Sequence, residues 1–385
     1  MSRLPLPLCL LALAPGALAV QDCELNGQSV NPANGYTTEG KTGIMRCRDR
    51  DSGQVVREEE LRAGKFVGVV RYYRDGWLEK EFSINDKGNR EGLAREFFPG
   101  GKPAHEETYR NGDTVGVSRS WHANGALKRV TARDDDGREA AFAEFNDHGQ
   151  LKELRCAERP LMGKDVDDAK LCGHGVREPV MRELYSDGGA VRARVSHLAG
   201  RRVRYESLWD NGKPEQQQEI DQDCSVERSF SREGVKRRET RWLAAGNGRV
   251  KQSEQEFHES GSLVRERRWL AGELIGEKTW YLNGQAKTED RYSKQDGRSV
   301  CESAEFHDNG KPSRQGSYLV RNGYRERPVG THRGYDSEGR LRGESEYDAN
   351  GRLTRERELD ENGRVVRDDA VFEDGSRKAY AAPAR

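Results

Sequence analysis

Short apolar and aromatic runs alternate with polar turns along almost the whole chain. The runs 66–73 (Phe-Val-Gly-Val-Val-Arg-Tyr-Tyr) and 276–281 (Gly-Glu-Lys-Thr-Trp-Tyr) are rich in residues that favour strands. A helix needs about ten uninterrupted residues, and glycine interrupts the chain sooner almost everywhere. The pattern therefore predicts short strands, with an exception in the region between Gly149 and Gly188.

The turns between these runs share a residue pattern. An aromatic residue is followed, after a short polar step, by Asn-Gly, Asp-Gly or a close relative. Such pairs favour tight hairpin turns because Gly and Asn adopt positive φ at low cost. The clearest copies are Tyr73-Arg-Asp-Gly76, Trp121-His-Ala-Asn-Gly125, Trp209-Asp-Asn-Gly212, Tyr281-Leu-Asn-Gly284 and Tyr347-Asp-Ala-Asn-Gly351.

The turn glycines recur at a nearly fixed spacing. Between Gly27 and Gly149 the steps are 11 to 13 residues, and the four glycines from Gly339 to Gly375 are 12 apart. One turn and one strand fill a step, so two strands form a unit of about 24 residues. We therefore predict an all-β fold: an elongated array of antiparallel β-hairpin repeats, arranged as a twisted meander in which each unit contacts mainly its neighbours.

The repeat is broken once, in a segment that contains Cys156, the acidic run 165–168, Cys172 and His174. Long loops on rigid scaffolds often carry function, and the plainer interpretation is a connector held by a disulfide. The predicted organisation is a signal segment at 1–19, an N-terminal β-repeat array at 20–149, a cysteine-containing insertion at 150–185, a C-terminal β-repeat array at 186–376 and a tail at 377–385.

The composition is polar and balanced in charge. Charged residues make up 34% of the chain and hydrophobic residues 33%, with 66 basic against 66 acidic side chains. A thin core fits a sheet with one packed and one solvated face. Alternating Arg and Glu, as in 355–358, suits cross-strand ion pairs on the solvated face, where each pair contributes little. We expect no nucleic-acid partner, because nucleic-acid binding needs a clearly basic surface and the net charge is zero.

The first 19 residues have the features of an export signal. Arg3 precedes the apolar stretch 4–13, and Ala17-Leu-Ala19 fits a small-x-small cleavage site, which predicts a mature chain starting at Val20. The apolar stretch is too short for a stable membrane anchor. We expect an exported, soluble protein of the periplasm without a stable membrane anchor.

Six cysteines remain after removal of the signal segment with Cys9, and an even number in an exported chain favours disulfides. Cys23–Cys47 would tie the N-terminal arm to the first hairpins, and Cys156–Cys172 would close the insertion. Cys224 and Cys301 would lie about six strands apart in a flat meander, roughly 29 Å, too far for a disulfide. Either the sheet curls strongly, the pairing differs, or these two thiols are free.

The turn units resemble those of the MORN-repeat variant. The residues that carry the resemblance are Trp121-His-Ala-Asn-Gly125 and 281–287, with Gly112-Asp-Thr-Val-Gly116 and Gly272-Glu-Leu-Ile-Gly276 as intervening turns. The resemblance covers most of the mature chain. It implies a hairpin-repeat fold and no catalytic residues, because the family motif contains none. Exported chains of this kind resemble periplasmic immunity proteins that neutralise secreted antibacterial toxins, including lipase effectors of type VI secretion.

No sequence motif points to catalysis. The chain lacks a nucleophile elbow, a P-loop, a zinc-protease motif and a dinucleotide fingerprint. We therefore expect neither an enzyme nor a cofactor, and the isolated Cys172-Gly-His174 is weak as a metal site. Tryptophans are the best candidates for partner contacts, although core packing is the plainer role for each. They are Trp77, Trp121, Trp209, Trp242, Trp269 and Trp280.

Two functions follow as hypotheses. In the first, which the family resemblance implies, the chain is a periplasmic immunity protein that binds a toxin, such as a phospholipase encoded nearby, and occludes its active-site entrance. A preformed sheet surface suits this role because it loses little conformational freedom on binding. In the second, the chain is a non-enzymatic scaffold or binding protein of the cell envelope. An enzyme of unknown class would need a pocket that a single-layer sheet rarely provides.

Overall fold

The computed structural model describes residues 21–246 and 248–379. The predicted signal segment and Cys9 lie outside the described residues. The chain divides into two compact units, which are described separately below. The first comprises the residues up to Gly175 together with Tyr185–Ala190, and the second comprises Val176–Leu184 and the residues from Val191 onward.

The first sheet has 12 antiparallel strands in the order β12-β11-β10-β9-β8-β7-β6-β5-β4-β3-β1-β2. It is a meander except at its start, where β1 pairs with both β2 and β3. The strands are β1 (Gln21–Leu25), β2 (Gln28–Val30), β3 (Gly43–Asp49), β4 (Val55–Arg62), β5 (Lys65–Arg74), β6 (Trp77–Ile84), β7 (Gly92–Phe97), β8 (Pro103–Arg110), β9 (Asp113–Trp121), β10 (Leu127–Arg133), β11 (Glu139–Phe145) and β12 (Leu151–Arg155), with a short 3-10 turn at Gly35–Thr37.

The second sheet is an uninterrupted meander of 17 strands, from β13 to β29 in chain order. The strands are β13 (Val180–Tyr185), β14 (Val191–Leu198), β15 (Arg201–Leu208), β16 (Pro214–Ile220), β17 (Cys224–Phe230), β18 (Lys236–Ala245), β19 (Gly248–Phe257), β20 (Leu263–Leu270), β21 (Glu273–Trp280), β22 (Ala286–Gln295), β23 (Arg298–Phe306), β24 (Pro312–Arg321), β25 (Tyr324–Tyr335), β26 (Leu341–Tyr347), β27 (Leu353–Leu359), β28 (Val365–Val371) and β29 (Arg377–Ala379). The predicted all-β hairpin-repeat fold is confirmed.

Two kinds of turn close the hairpins. In the two-residue turns both residues have positive φ, as in Ala271 (49°) and Gly272 (84°), which matches the twist of the strands that they join. In the longer turns, such as 281–285, Tyr281 N–H donates to Gln285 O (2.9 Å) and Gly284 N–H donates to Tyr281 O (3.0 Å). One strand together with one turn of either kind takes up about 12 residues, which accounts for the spacing between successive turn glycines.

The asparagine of the longer turns links one turn to the next along the same edge of the sheet. Its side-chain oxygen accepts from the backbone two residues on, as in Gln285 N–H to Asn283 Oδ1 (3.0 Å). Its Nδ2 donates to a backbone carbonyl of the following turn, which stabilises the stack of hairpins. These links are Asn124 to Asp147 O (2.8 Å), Asn211 to Arg232 O (2.7 Å), Asn283 to Asp308 O (2.7 Å) and Asn309 to Ser337 O (2.7 Å).

The residue that opens the longer turn makes a parallel link. Trp209 Nε1 donates to Phe230 O (3.3 Å), and Tyr281 Oη donates to Phe306 O (2.9 Å). A ring nitrogen of His307 lies 3.3 Å from Tyr335 O. The repeated aromatic-x-Asn-Gly pattern is therefore a hydrogen-bonding device that connects neighbouring hairpins.

One apolar cluster of the first sheet lies at its N-terminal end, and further buried hydrophobic residues lie on β10 to β12. Cys23, Leu25, Val30, Met45, Cys47 and Leu61 form one buried cluster. Cys23 and Cys47 lie directly opposite each other on β1 and β3 and are joined by a disulfide. This part of the cysteine prediction is confirmed.

The segment between β12 and β13 runs from Cys156 to Pro179, inside the insertion expected from the sequence. It contains one helical turn, α1 (Asp168–Leu171), and the predicted Cys156–Cys172 disulfide is present. The buried side chain of Asp168 accepts from Leu161 N–H (2.6 Å) and Met162 N–H (3.0 Å), which fixes the loop around it. Because Cys172 is oxidised, it does not offer a thiolate to a metal ion beside His174.

Cys224 and Cys301 are free thiols. They lie on β17 and β23, six strands apart in the second sheet. Of the three alternatives expected from the sequence, the one with two free thiols is therefore correct. Burial and the charge of Asp290 raise the pKa of Cys301 to about 11, and this thiol stays protonated near neutral pH.

Candidate binding site

The six tryptophans are all half-buried and are spread over both sheets. Trp77 begins β6 and Trp121 ends β9 in the first sheet, while Trp209, Trp242, Trp269 and Trp280 belong to the second. The structure brings two of them together around one lysine. The ammonium nitrogen of Lys251 lies 5.4 Å from the ring centre of Trp242 and 4.9 Å from that of Trp269.

This lysine and Trp242 border a groove over one face of strands β15 to β19, with a volume of about 530 Å³. Its floor follows the pairing register, because residues directly opposite each other on neighbouring strands point to the same face. One such row is Tyr205, Gln218, Glu227, Thr240 and Glu254. The other lining residues include Arg202, Gln216, Ser229, Arg238, Trp242 and Lys251.

The carboxylates of the groove already have donors. Gln218 Nε2 donates to Glu227 Oε1 (3.0 Å), and Lys251 Nζ donates to Glu254 Oε2 (2.8 Å). Arg267 Nη1 reaches the other oxygen of Glu254 (3.1 Å). Burial raises the pKa of Glu254, whereas the hydrogen bond from Lys251 and the neighbouring cations lower it. The lowering effects are larger together, so the pKa of Glu254 lies below the ordinary value. Glu254 is therefore ionised at neutral pH.

Several donors of the groove have no acceptor among the described residues. Trp242 Nε1 and Ser225 Oγ are buried atoms without a hydrogen-bond partner, and these two residues lie opposite each other on β18 and β17. Arg238 is exposed and has no carboxylate at ion-pair distance in the described part of the chain. Arg202 donates to Gln218 Oε1 (3.0 Å) and stacks over Tyr205. The groove therefore presents more donors than acceptors.

Many arginines of the second sheet are paired with carboxylates. Arg228, which also lines the groove, contacts Glu219 (3.0 Å) and Glu239 (3.1 Å). Arg265 contacts Glu277 (2.6 Å) in the same way. The sequence led us to expect weak pairs on a solvated face, yet Glu239 and Glu254 are buried, since the long basic side chains fold over them. Arg238 has no carboxylate at ion-pair distance in the described part of the chain, a property that it shares with Arg204, Arg249 and Arg314 of the same sheet.

The groove is suited to binding. The described residues that line it include neither a histidine nor a cysteine, and its two carboxylates are held by cations or amides. Within residues 21–246 and 248–379 no group of three or more His, Cys, Asp or Glu side chains could hold a metal ion. The groove does offer an indole, a phenol, guanidinium groups and side-chain amides on a regular sheet, the residue types that dominate interface hot spots.

Sequence reasoning selected Trp242 and missed the rest of the groove. Its members are 9 to 14 residues apart along the central row, so no local motif contains them. One signal was present in the sequence: Gln216-Gln217-Gln218 is an uncharged polar run inside a strand of a chain with 34% charged residues. Such a run marks a strand on which amide hydrogen bonds replace ion pairs, since the side chains of Gln217 and Gln218 donate to Glu206 and Glu227.

Comparison with known families agrees with this architecture. The model of the MORN repeat variant matches residues 90–111, which contain the hairpin β7–β8. This match supports the assignment to MORN repeats. A search of curated proteins found no match. The two disulfides indicate an oxidising environment, extracellular or periplasmic. No helix of the described residues is long and apolar enough to cross a membrane.

Three solved structures are distantly similar to this chain. A structure of Staphylococcus aureus TarM with Fondaparinux, alpha-GlcNAc-glycerol and UDP is 21% identical over 23% of this chain and 17% of its own, with a TM-score of 0.18. The complex TcdB2-TccC3-Cdc42 is 9% identical over 94% of this chain and 20% of its own, also at 0.18. A putative 6-phosphogluconolactonase from Bacteroides uniformis is 13% identical over 88% and 91%, at 0.10. The chain thus spans at most a fifth of the TarM and TcdB2-TccC3 chains.

Proposed function

We propose that this protein is a periplasmic immunity protein that binds a secreted antibacterial toxin and occludes it. The target class is a phospholipase effector of type VI secretion encoded nearby, and the MORN-like repeats motivate this choice. The observation that carries the binding role is the groove over β15–β19, where Tyr205, Trp242 and the unpaired guanidinium group of Arg238 lie on regular strands. A surface already held by strand pairing loses little conformational entropy when a partner binds.

Two further observations support the proposal. The disulfides Cys23–Cys47 and Cys156–Cys172 suit an exported chain. The second sheet carries its polar groups on hydrogen-bonded strands and not on long loops, which suits occlusion of an active-site entrance without a large rearrangement. The predicted signal segment fits the same location.

The test is a capture experiment with the tagged mature chain, residues 20–385, incubated under oxidising conditions with periplasmic extract and with the products of neighbouring genes. We expect one stoichiometric enzyme whose activity is lost on binding. The variant Trp242→Ala should weaken capture about tenfold or more, as truncation of an interface hot spot does. The matched control Trp121→Ala removes a half-buried tryptophan of the first sheet and should leave capture unchanged.

Circular dichroism and the thermal midpoint of each variant establish that both are folded. Failure to bind or inhibit any enzyme encoded beside the gene would contradict the immunity function. Recovery of envelope components alone would favour the alternative, a non-enzymatic scaffold or binding protein of the cell envelope.

A further inference from the structure

We infer that the groove over β15–β19 binds an extended acidic segment of the partner protein, with a carboxylate held by Arg238 and a backbone carbonyl held by the indole N–H of Trp242. This inference rests on the proposed function for the identity of the partner as a protein. The chemistry of the occupant, however, follows from the groove itself.

The first step is the balance of charge. The basic residues that line the groove are Arg202, Arg228, Arg238 and Lys251, and its carboxylates are those of Glu227 and Glu254. Arg228 is already paired with Glu219 and Glu239. Lys251 is bonded to Glu254, while Glu227 accepts from the neutral Gln218. The guanidinium group of Arg238 is left exposed, with no carboxylate at ion-pair distance in the described ranges. An anionic occupant is the complement of this surface, and a carboxylate matches the planar fork of a guanidinium group.

The second step is the position of the unpaired donor. Trp242 Nε1 is shielded from water and has no acceptor in the described part of the chain, an unpaired state that costs free energy. A turn of the half-buried indole toward the groove would bring this N–H to a carbonyl of the occupant. Trp242 and Arg238 lie four residues apart on β18 and both line the groove. A strand rises about 3.3 Å per residue, so the two positions are separated by roughly 13 Å.

The third step is the length of the occupant. An extended peptide spans at most about 3.3–3.6 Å per residue, so roughly four residues bridge the two positions. A volume of about 530 Å³ lies within the range of small-ligand sites and suits such a segment. Tyr205 and the aliphatic stem of Lys251 supply apolar contacts along the way. An acidic residue at one end and a carbonyl at the other satisfy both donors at once.

The experiment uses the mature oxidised chain and two synthetic peptides, acetyl-Gly-Ser-Asp-Glu-Ser-Gly-amide and the isosteric acetyl-Gly-Ser-Asn-Gln-Ser-Gly-amide, titrated by calorimetry at low salt. The acidic peptide should bind about tenfold more tightly than the amide peptide, the difference expected for a charge-assisted hydrogen bond. Arg238→Gln should abolish this preference, and the control Arg249→Gln, at an exposed position on β19 outside the groove, should preserve it.

Trp242→Phe keeps an aromatic ring and removes the N–H, so it should weaken both peptides by a similar factor of about three to ten. Equal affinity for the two peptides, a preference that survives Arg238→Gln, or no binding of either peptide at about 1 mM would overturn the inference. Binding of a neutral oligosaccharide such as chitohexaose in place of the acidic peptide would also overturn it.

The outcomes separate this inference from the proposed function. If a toxin is captured equally well by the wild-type chain and by the double variant Arg238→Gln/Trp242→Phe, the immunity function stands and the acidic-segment inference is wrong. If the acidic peptide binds as described and no toxin is captured or inhibited, the groove chemistry stands and the immunity function is wrong.

Discussion

The first hairpins of the first sheet and the part of the second sheet beyond residue 200 share one repeat pattern but are stabilised differently. In the first, Met45 and Leu61 are fully buried beside the Cys23–Cys47 disulfide. Among the described residues beyond 200, the buried hydrophobic side chains are Val300 and Cys301, whereas several carboxylates are buried. The same backbone plan therefore tolerates either an apolar core or buried ion pairs, because strand pairing and turn links satisfy the backbone in both.

The buried ion pairs replace a core only when they are complete. Arg325 holds both oxygens of Asp290, and Arg355 holds both oxygens of Asp368. A buried carboxylate without its cation carries a desolvation cost that nothing offsets. The second sheet should consequently respond to the loss of single charges, and the first hairpins to the loss of single apolar groups.

The largest expected effect is in the apolar cluster. Met45→Ala should lower the free energy of unfolding by about 2–5 kcal/mol, because it removes a fully buried side chain and leaves a cavity. Urea unfolding followed by circular dichroism measures the change. Ile44→Ala, one residue away and 45% exposed, should change it by less than about 0.5 kcal/mol. Similar losses in the two variants would mean that the cluster is not a core.

A second effect should appear in the second sheet. Asp290→Asn removes the buried carboxylate that holds Arg325 most closely, leaves Glu305 (3.3 Å) as its remaining anionic partner, and should lower the free energy of unfolding by about 1–3 kcal/mol. The matched change Asp210→Asn breaks an exposed pair with Arg232 and should have no measurable effect. Equal midpoints of urea unfolding for the two variants would remove the distinction between buried and exposed pairs.

Acid should weaken the second sheet through its buried carboxylates. Burial raises the pKa of Glu239, but hydrogen bonds from Lys236 and Arg228 outweigh it, so the folded pKa lies below the ordinary 4.5. A lowered folded pKa gives stability that is present above the ordinary pKa and is lost as the pH falls through the folded value. Unfolding free energies measured from about pH 6 to pH 3 should therefore decrease.

Glu239→Gln should make this decrease less steep, because a glutamine side chain does not take up a proton between about pH 6 and pH 3. Glu259→Gln changes an exposed residue of the same sheet, with 82% of its side chain accessible, and serves as the control. A pH dependence that is identical in the wild-type chain and both variants would show that Glu239 is not a source of acid sensitivity.

The smallest effect concerns the links between turns. Asn283→Ala removes the bond to Asp308 O and should lower the free energy of unfolding by about 0.5–1.5 kcal/mol. Asn362 occupies the equivalent position in the turn 360–364, near the edge of the sheet, and its side chain has no such link in the described residues. Asn362→Ala should thus be nearly neutral, and equal losses would contradict the linking role.

Much of the fold could be predicted from the sequence because glycine spacing reports the turns directly. The spacing of the turn glycines between Gly27 and Gly149 indicated two strands per repeat unit. The even number of cysteines after the signal segment indicated disulfides, and Cys23–Cys47 and Cys156–Cys172 were candidate pairs. Burial of Glu239 was not predictable, because an Arg–Glu pattern looks the same on a solvated face and beneath folded-over basic side chains. The signal segment, the division into arrays and the partner remain predictions.

The groove could not be predicted because it depends on register across five strands. Trp242 was selected for its residue type, whereas Gln218 and Arg238 became meaningful only when pairing placed them on one face. A slip of one residue in any of those strands would turn its contribution to the opposite face. Side-chain chemistry at the site is thus set by strand alignment, which local sequence does not encode.

The asparagine links between turns also govern how such a gene can change in length. Asn211, Asn283 and Asn309 each use the same two groups, an amide oxygen toward their own turn and an amide nitrogen toward the next. When a whole two-strand hairpin is duplicated or lost, the asparagine Nδ2 of one turn still faces a turn whose backbone carbonyl can accept its hydrogen bond. Insertion of a single codon within a strand, in contrast, exchanges its inner and outer faces. Lineages can therefore lengthen or shorten the array by complete hairpins while the strands of the groove keep their alignment.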